Sequence, residues 1–380
     1  MAADLPPDHE VICDPPSLPP LPTGQERKAL LGFVDIYHPS YPDLPPLLSL
    51  HASDGGGVHY SVVYYACCII AGNVWDDDEG RNGDVRFPYL SETRSGPPIV
   101  IPPDDILRGK EYYFHVPKDR ILGGYPVVPS FDYWVFPDEM PKPWRSLKTS
   151  SDDDDETLNP SDLQIHIPGD PAHTSSCAIY YYRIIPLSAQ MWFDANHMRK
   201  YAPCLSHGEP QSSTCNIVPL RADIHHLFDY SQIALVPKPD PHTPGAYRMV
   251  IHVLQRPHGW HDPALELIAL LHNRKFPLLE DVPVEYFFAS FAWSLFADSI
   301  LQLFNRQNDV YFDLLFNRDF KTPGVHSISS RRGGYWNSGF PRPRSRLPRP
   351  EHNTRLTTCS RSQVEGDDAD SKSVDSDIFQ

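Results

Sequence analysis

Proline punctuates this sequence so densely that long regular elements are confined to a few windows. Of the 380 residues, 42 are Pro, about twice the usual share, and each fixes φ and removes a backbone donor. The first 25 or so residues (DLPPDHE, DPPSLPPLPTG) and the stretch beyond 321 carry too little apolar sequence to offset the cost of ordering. The tail divides by charge: residues 331–361 hold eight Arg and one acid, +7, and residues 362–380 hold six acids and one Lys, −5. The layout expected is a disordered proline-rich start (1–25), a strand-rich region (26–147), an acidic loop (148–176) and a chemistry-bearing domain (177–256). A helical segment (257–320) and a disordered tail (321–380) follow. No internal repeat is visible.

Between those limits 40 % of residues are hydrophobic, enough to build a core and to exclude wholesale disorder. The net charge of −16 argues against a chain that coats nucleic acid along its whole length. Residues 177–256 depart from that balance, with seven Lys+Arg (183, 199, 200, 221, 238, 248, 256) against five acids (194, 209, 223, 229, 240), or +2. A local positive bias in an acidic body is compatible with phosphate binding at one face. Seven scattered cysteines form no disulfide framework, and the start lacks the basic and apolar regions of a signal peptide. An intracellular setting, cytoplasmic or nuclear, is therefore expected. Residues 287–304 are too short, and too interrupted by Asp298 and Gln302, to span a bilayer.

The periodicity indicates an α+β fold. Residues 30–37 alternate as a strand, and residues 112–116 and 125–137 read as short extended pieces. Residues 60–72 (YSVVYYACCIIAG) form one apolar run that periodicity alone leaves open between buried strand and buried helix. Residues 179–186, 233–237 and 247–254 read as strands. Residues 190–201 read as a short helix, and 223–230 as a second one capped by Asp223. Residues 265–272 and 282–304 read as helical, the latter with Phe288, Phe291, Ala292, Leu295 and Phe296 along one face.

The chemistry concentrates in CNIVPLRADIHHLFDYSQIALVPK (215–238). His225 and Asp229 are four apart in a predicted helix, so both lie on one face. An imidazole and a carboxylate at that spacing can share one divalent cation. The plain alternative is a solvated i, i+4 pair. Asn216, nine residues before His225, can fold back over a hairpin and orient a neighbour through its amide; the alternative is a turn residue. Cys204, His207 and Cys215 lack the paired-knuckle spacing of structural zinc sites.

These words, with IIPLSAQMWFDANHMRKY (184–201), resemble the HNH endonuclease family, in the version common in fungal proteins. HYSVVYYACCIIAGNVWD (59–76), YFHVPKD (113–119), YPVVPSFDYWVFP (125–137), LIALLHNRKF (267–276) and FFASFAWSLF (287–296) resemble its flanks, so the likeness extends over roughly residues 30–300. The resemblance implies a strand-rich amino-terminal region, then a ββα-metal hairpin domain, then a helical segment closing over it. It implies a metal-dependent hydrolase of phosphodiester bonds, with His225 and Asp229 holding Mg²⁺, Mn²⁺ or Zn²⁺ and Asn216 positioning the catalytic strand. Nucleic acid, DNA rather than RNA, is the partner implied. One position departs from the family: Arg183 stands where the first-strand histidine acts as general base. Guanidinium stays protonated, and losing such a base costs about 10²–10⁴ in rate. The alternative that follows is a catalytically degenerate HNH-fold protein that binds nucleic acid or a protein partner.

Overall fold

The computed structural model describes residues 32–76, 86–102, 104–117, 124–147, 179–202, 214–241, 243–255, 271–276, 278–279, 281–305, 311–316 and 324–329. The chain divides after Leu347, and the unit beyond it lies outside the described residues. So do the proline-rich start, the acidic run 152–156 and nearly all of the helix expected over 265–272.

The first half is built on alternation. Strand β1 (Phe33–Tyr37) buries Val34 and Ile36 and pairs antiparallel with β2 (Leu48–His51). A glycine turn leads to β3 (Val58–His59) and helix α1 (Tyr60–Ile70). Strands β4 (Tyr89–Ser91), β5 (Ile106–Leu107) and β6 (Glu111–His115) follow. The main sheet has the order β2-β1-β6-β4, with β1 and β6 parallel, and a small β3–β5 pair lies apart from it.

The apolar run left open above is the helix α1. All its residues but Tyr65 are buried, so no polar stripe exists to reveal a helical period. The chain leaves the helix through Gly72, whose φ of +88° is left-handed and where a Cβ would stand 2.5 Å from Leu315 Cδ2. Asn73 next to it donates through Nδ2 to the Val135 carbonyl (2.8 Å) and accepts from Trp134 Nε1 (2.7 Å).

Those bonds fix residues 125–137, which are not the extended pieces expected. Only Val127 makes a strand-like bridge, to Leu314, and Phe131–Tyr133 is a 3-10 turn. The prolines prevent a ladder, and aromatic packing replaces it. Trp134 stacks on Trp192 (5.5 Å, 6°), and the Trp192 Nε1 donates to the Trp134 carbonyl. A short helix α2 (Lys142–Ser146) adds Trp144 to the same cluster.

The second half begins with β7 (Ile179–Arg183), then helix α3 (Gln190–Ala195). The single helix expected over 190–201 is interrupted. Asn196 gives its amide to the Trp192 carbonyl (2.9 Å) and takes the Phe136 N–H (2.7 Å). The chain then turns through His197 at φ 52° into a 3-10 segment, Met198–Tyr201. Strand β8 (Ile217–Arg221) pairs antiparallel with β7, in register from Ile179↔Arg221 to Arg183↔Ile217. Helix α4 (Ala222–Asp229) follows directly, so Asp223 lies inside its first turn rather than at its cap. Strands β9 (Ile233–Pro239) and β10 (Tyr247–Val253) form a hairpin.

Helix α5 (Val284–Leu295) stops short of the expected 304, because its end tightens into bonds from Phe296 to Trp293 and from Ala297 to Ser294. It shows no one-sided stripe: every residue but Trp293 is buried. Strands β11 (Tyr311–Phe316) and β12 (Gly324–Ser329) pair antiparallel. They place strand where helix was expected up to 320 and disorder from 321. The alternating burial of Phe312, Leu314 and Phe316 accounts for β11. The molecule is α+β with several small sheets, and among the described residues no helix is long and apolar enough to cross a membrane.

Candidate active site

Local pattern explains how α4 is set. Ile224, Leu227 and Phe228 are buried, at helical spacing, so the opposite side of the helix is left for polar groups. His225 and Asp229 project there at about a quarter of full exposure, with Nδ1 and Oδ2 3.1 Å apart. His226 stands on yet another side, exposed and against the Tyr230 ring (4.4 Å).

The β7–β8 pair walls one side of that helix. Tyr182 packs on Phe228 (4.9 Å, 30°) and meets the His225 ring edge-on (5.7 Å, 89°), while Tyr180 reaches His225 from the neighbouring position (5.7 Å). Burial pushes the Tyr182 hydroxyl pKa upward, and Ser290 of α5 opposes that shift. His225 is thus bracketed by two rings that limit its rotation.

Asn216 closes the hairpin. It is wholly buried; its Oδ1 accepts from the Ile185 N–H (2.8 Å), and its Nδ2 donates to the Ile185 carbonyl (2.8 Å). The Ile184 N–H adds a bond to the Asn216 carbonyl (3.1 Å). One side chain therefore satisfies both backbone groups of a residue two places beyond Arg183. Asn216 does not meet His225 or Asp229 directly. Arg183 is half-buried at the end of β7 and makes no ion pair with another described residue.

The donor chemistry of the helix pair fits a divalent cation. Adjacent ligands of an octahedral ion bonded at about 2.1 Å lie about 3 Å apart, close to the separation seen. Two protein ligands with one side open leave positions for water and phosphate oxygens, the usual arrangement for Mg²⁺. Cys215 is buried and disulfide-bonded; Cys204 and His207 lie outside the described residues.

A second constellation escaped the sequence reading. Asp54, in the turn between β2 and β3, accepts through Oδ1 from Lys238 Nζ (2.7 Å), His272 Nε2 (2.7 Å) and Asn273 Nδ2 (3.0 Å). Its Oδ2 takes the His59 N–H (2.9 Å) at the start of α1. Burial alone would raise this carboxyl, but the His272 bond and the neighbouring positive charge hold it well below the usual range. Lys238 also bonds the Asn273 oxygen (2.7 Å).

Asp54, His252 and His272 bring three donor atoms within 4.8 Å of one another, yet two observations argue against an ion there. Lys238 already supplies the cation. His272 Nδ1 accepts the Val253 N–H (3.2 Å), so Nε2 carries the proton and has no lone pair to give. The group is a structural knot. The sequence signal for it was the run Asp54-Gly-Gly-Gly57 beside the His272-Asn273 dipeptide, and neither names its partner.

A hairpin closed by a buried amide and backed by a helix bearing an imidazole–carboxylate pair is a ββα arrangement. A protein-family model described as HNH endonuclease matches residues 177–236, the stretch that holds β7, β8 and α4. Comparison with curated proteins and with solved structures gave no match.

Proposed function

We propose that this chain is an HNH-type, metal-dependent endonuclease-like protein acting on phosphodiester bonds of nucleic acid, DNA rather than RNA. The observation that carries the reading is the His225–Asp229 pair, 3.1 Å apart and partly open, on the helix that backs the clamped hairpin. His225 and Asp229 would hold Mg²⁺, Mn²⁺ or Zn²⁺. Bound there, the ion supplies Lewis-acid stabilisation of charge developing on the leaving oxygen. The Tyr180 and Tyr182 rings orient the imidazole, and Asn216 keeps the end of β7 in register.

Arg183 favours a second reading, a relic that binds without cutting. A guanidinium grips a phosphate oxygen but takes no proton from water. Plasmid nicking with Mg²⁺ or Mn²⁺ decides between the two. Cutting by wild type that His225→Ala abolishes supports the enzyme. Cutting gained only in Arg183→His supports the relic. Nicking that survives His225→Ala removes the site altogether.

A further inference from the structure

Strand β7 reads Tyr180-Tyr181-Tyr182-Arg183, and its rings have unlike environments. Tyr182 is held by Phe228, Ser290 and His225. Tyr180 and Tyr181 are 47 % and 59 % exposed. An aromatic ring is among the largest apolar surfaces a protein can bury, and here two consecutive ones stand in solvent. Successive strand residues point to opposite faces. Tyr180 therefore shares the α4 side with Tyr182 and His225, and Tyr181 shares the other side with Arg183. Both faces of one ribbon present a ring. Among the described residues β7 pairs with β8 alone.

We propose that β7 is a platform for single-stranded nucleic acid: Tyr180 and Tyr181 stack on unpaired bases, and Arg183 takes a backbone phosphate. This rests on the reading that a phosphodiester meets the α4 face. Base stacking on aromatic rings, with cations along the backbone, is how proteins grip single strands without reading sequence. A duplex hides the faces of its bases inside the stack and is read at base edges by guanidinium, amide and carboxylate groups instead. The Tyr180 ring lies 5.7 Å from the His225 ring, so a base stacked there keeps its own phosphodiester beside the candidate ion-binding pair. The charge fits the same occupant. Arg183 has no acidic partner among the described residues, whereas Arg199 nearby in sequence is already paired with Asp194 (3.5 Å).

The test uses the full chain in EDTA, so that no strand is cut, with fluorescently labelled oligonucleotides read by anisotropy at one fixed salt concentration. Single-stranded DNA, single-stranded RNA and duplex DNA of the same sequence are compared. The expected result is single-strand binding about tenfold or more tighter than duplex binding. Tyr180→Ala and Tyr181→Ala should each weaken it about five- to a hundredfold, and Tyr180→Phe and Tyr181→Phe should keep it. Comparable affinity for DNA and RNA agrees with stacking as the main contact. The proposal is overturned if wild type binds duplex as tightly as single strands, binds neither, or if the alanine variants bind single strands like wild type. Nicking is read separately. Tyrosine-dependent binding without any nicking leaves the platform standing and removes the nuclease; His225-dependent nicking with tyrosine-independent binding does the reverse.

Discussion

On α4, His225 stands 3.1 Å from Asp229; in the knot, His272 stands 2.7 Å from Asp54. The residue types are the same and the distances nearly so, yet one pair is about a quarter exposed and the other about 5 %. Around Asp54 four donors, an ammonium, an amide, a ring N–H and a backbone N–H, converge on one carboxylate, while the buried His252 ring beside it makes no hydrogen bond to a described residue. Among the described residues, the side-chain partner of Asp229 is His225 itself. Chemistry needs unspent capacity at an opening, and a carboxylate already saturated by its own protein has none to offer a substrate. Exposure and completeness, more than the identity of the residues, separate the site from the scaffold.

The sharpest way to break this comparison is Lys238→Met, which leaves the buried Asp54 carboxylate without its cationic partner. It should cost about 3–5 kcal/mol of folding stability by denaturant titration. A loss below 1 kcal/mol would mean that the knot is not what holds these segments together. Acid is the next lever. Burial pulls the His59 pKa from 6.5 to about 4, and His252 and His272 move the same way. The unfolded chain therefore binds protons that the folded one refuses, so this stability is whole above pH 6.5 and drains away as pH falls toward 4. His59 alone accounts for a loss on the order of 3 kcal/mol by pH 4, and His252 and His272 add to it in the same direction. Asp54, held below its usual range, adds a further loss at still lower pH. A melting temperature that stays flat from pH 7 to about pH 4 contradicts the neutral-histidine picture.

Asn216→Asp should cost about 1–3 kcal/mol, because a second oxygen then faces the Ile185 carbonyl. Its signature is faster hydrogen exchange in β7 and β8. The smallest effect belongs to His225→Ala, within about 0.5 kcal/mol on stability, since partly exposed pairs contribute little. A large destabilisation there would turn α4 back into scaffold.

The sequence made the local half of this picture legible. Strands β9 and β10, helix α4 and the His225–Asp229 pairing all follow from spacing within one element. The misses share a cause: partners remote in sequence. The α1 run gave no period because surrounding segments cover it on nearly every side. The break after α3 came from Phe136, sixty residues upstream. The knot joins Asp54 to residues 184 and 218 positions away, and nothing in a glycine-rich turn announces such partners. Asn216 was placed by its distance from the helix, while its actual bonds run to Ile185.

The knot also sets where this protein can be cut by an experimenter. Lys238 follows within two residues of the matched segment, while its counter-charge is supplied by the amino-terminal half. A fragment of residues 177–256 would carry the Lys238 ammonium without its Asp54 anion and would strip Trp192 of its Trp134 neighbour. The matched segment is modular on paper but not severable in practice, so its study calls for expression of the amino-terminal half along with it.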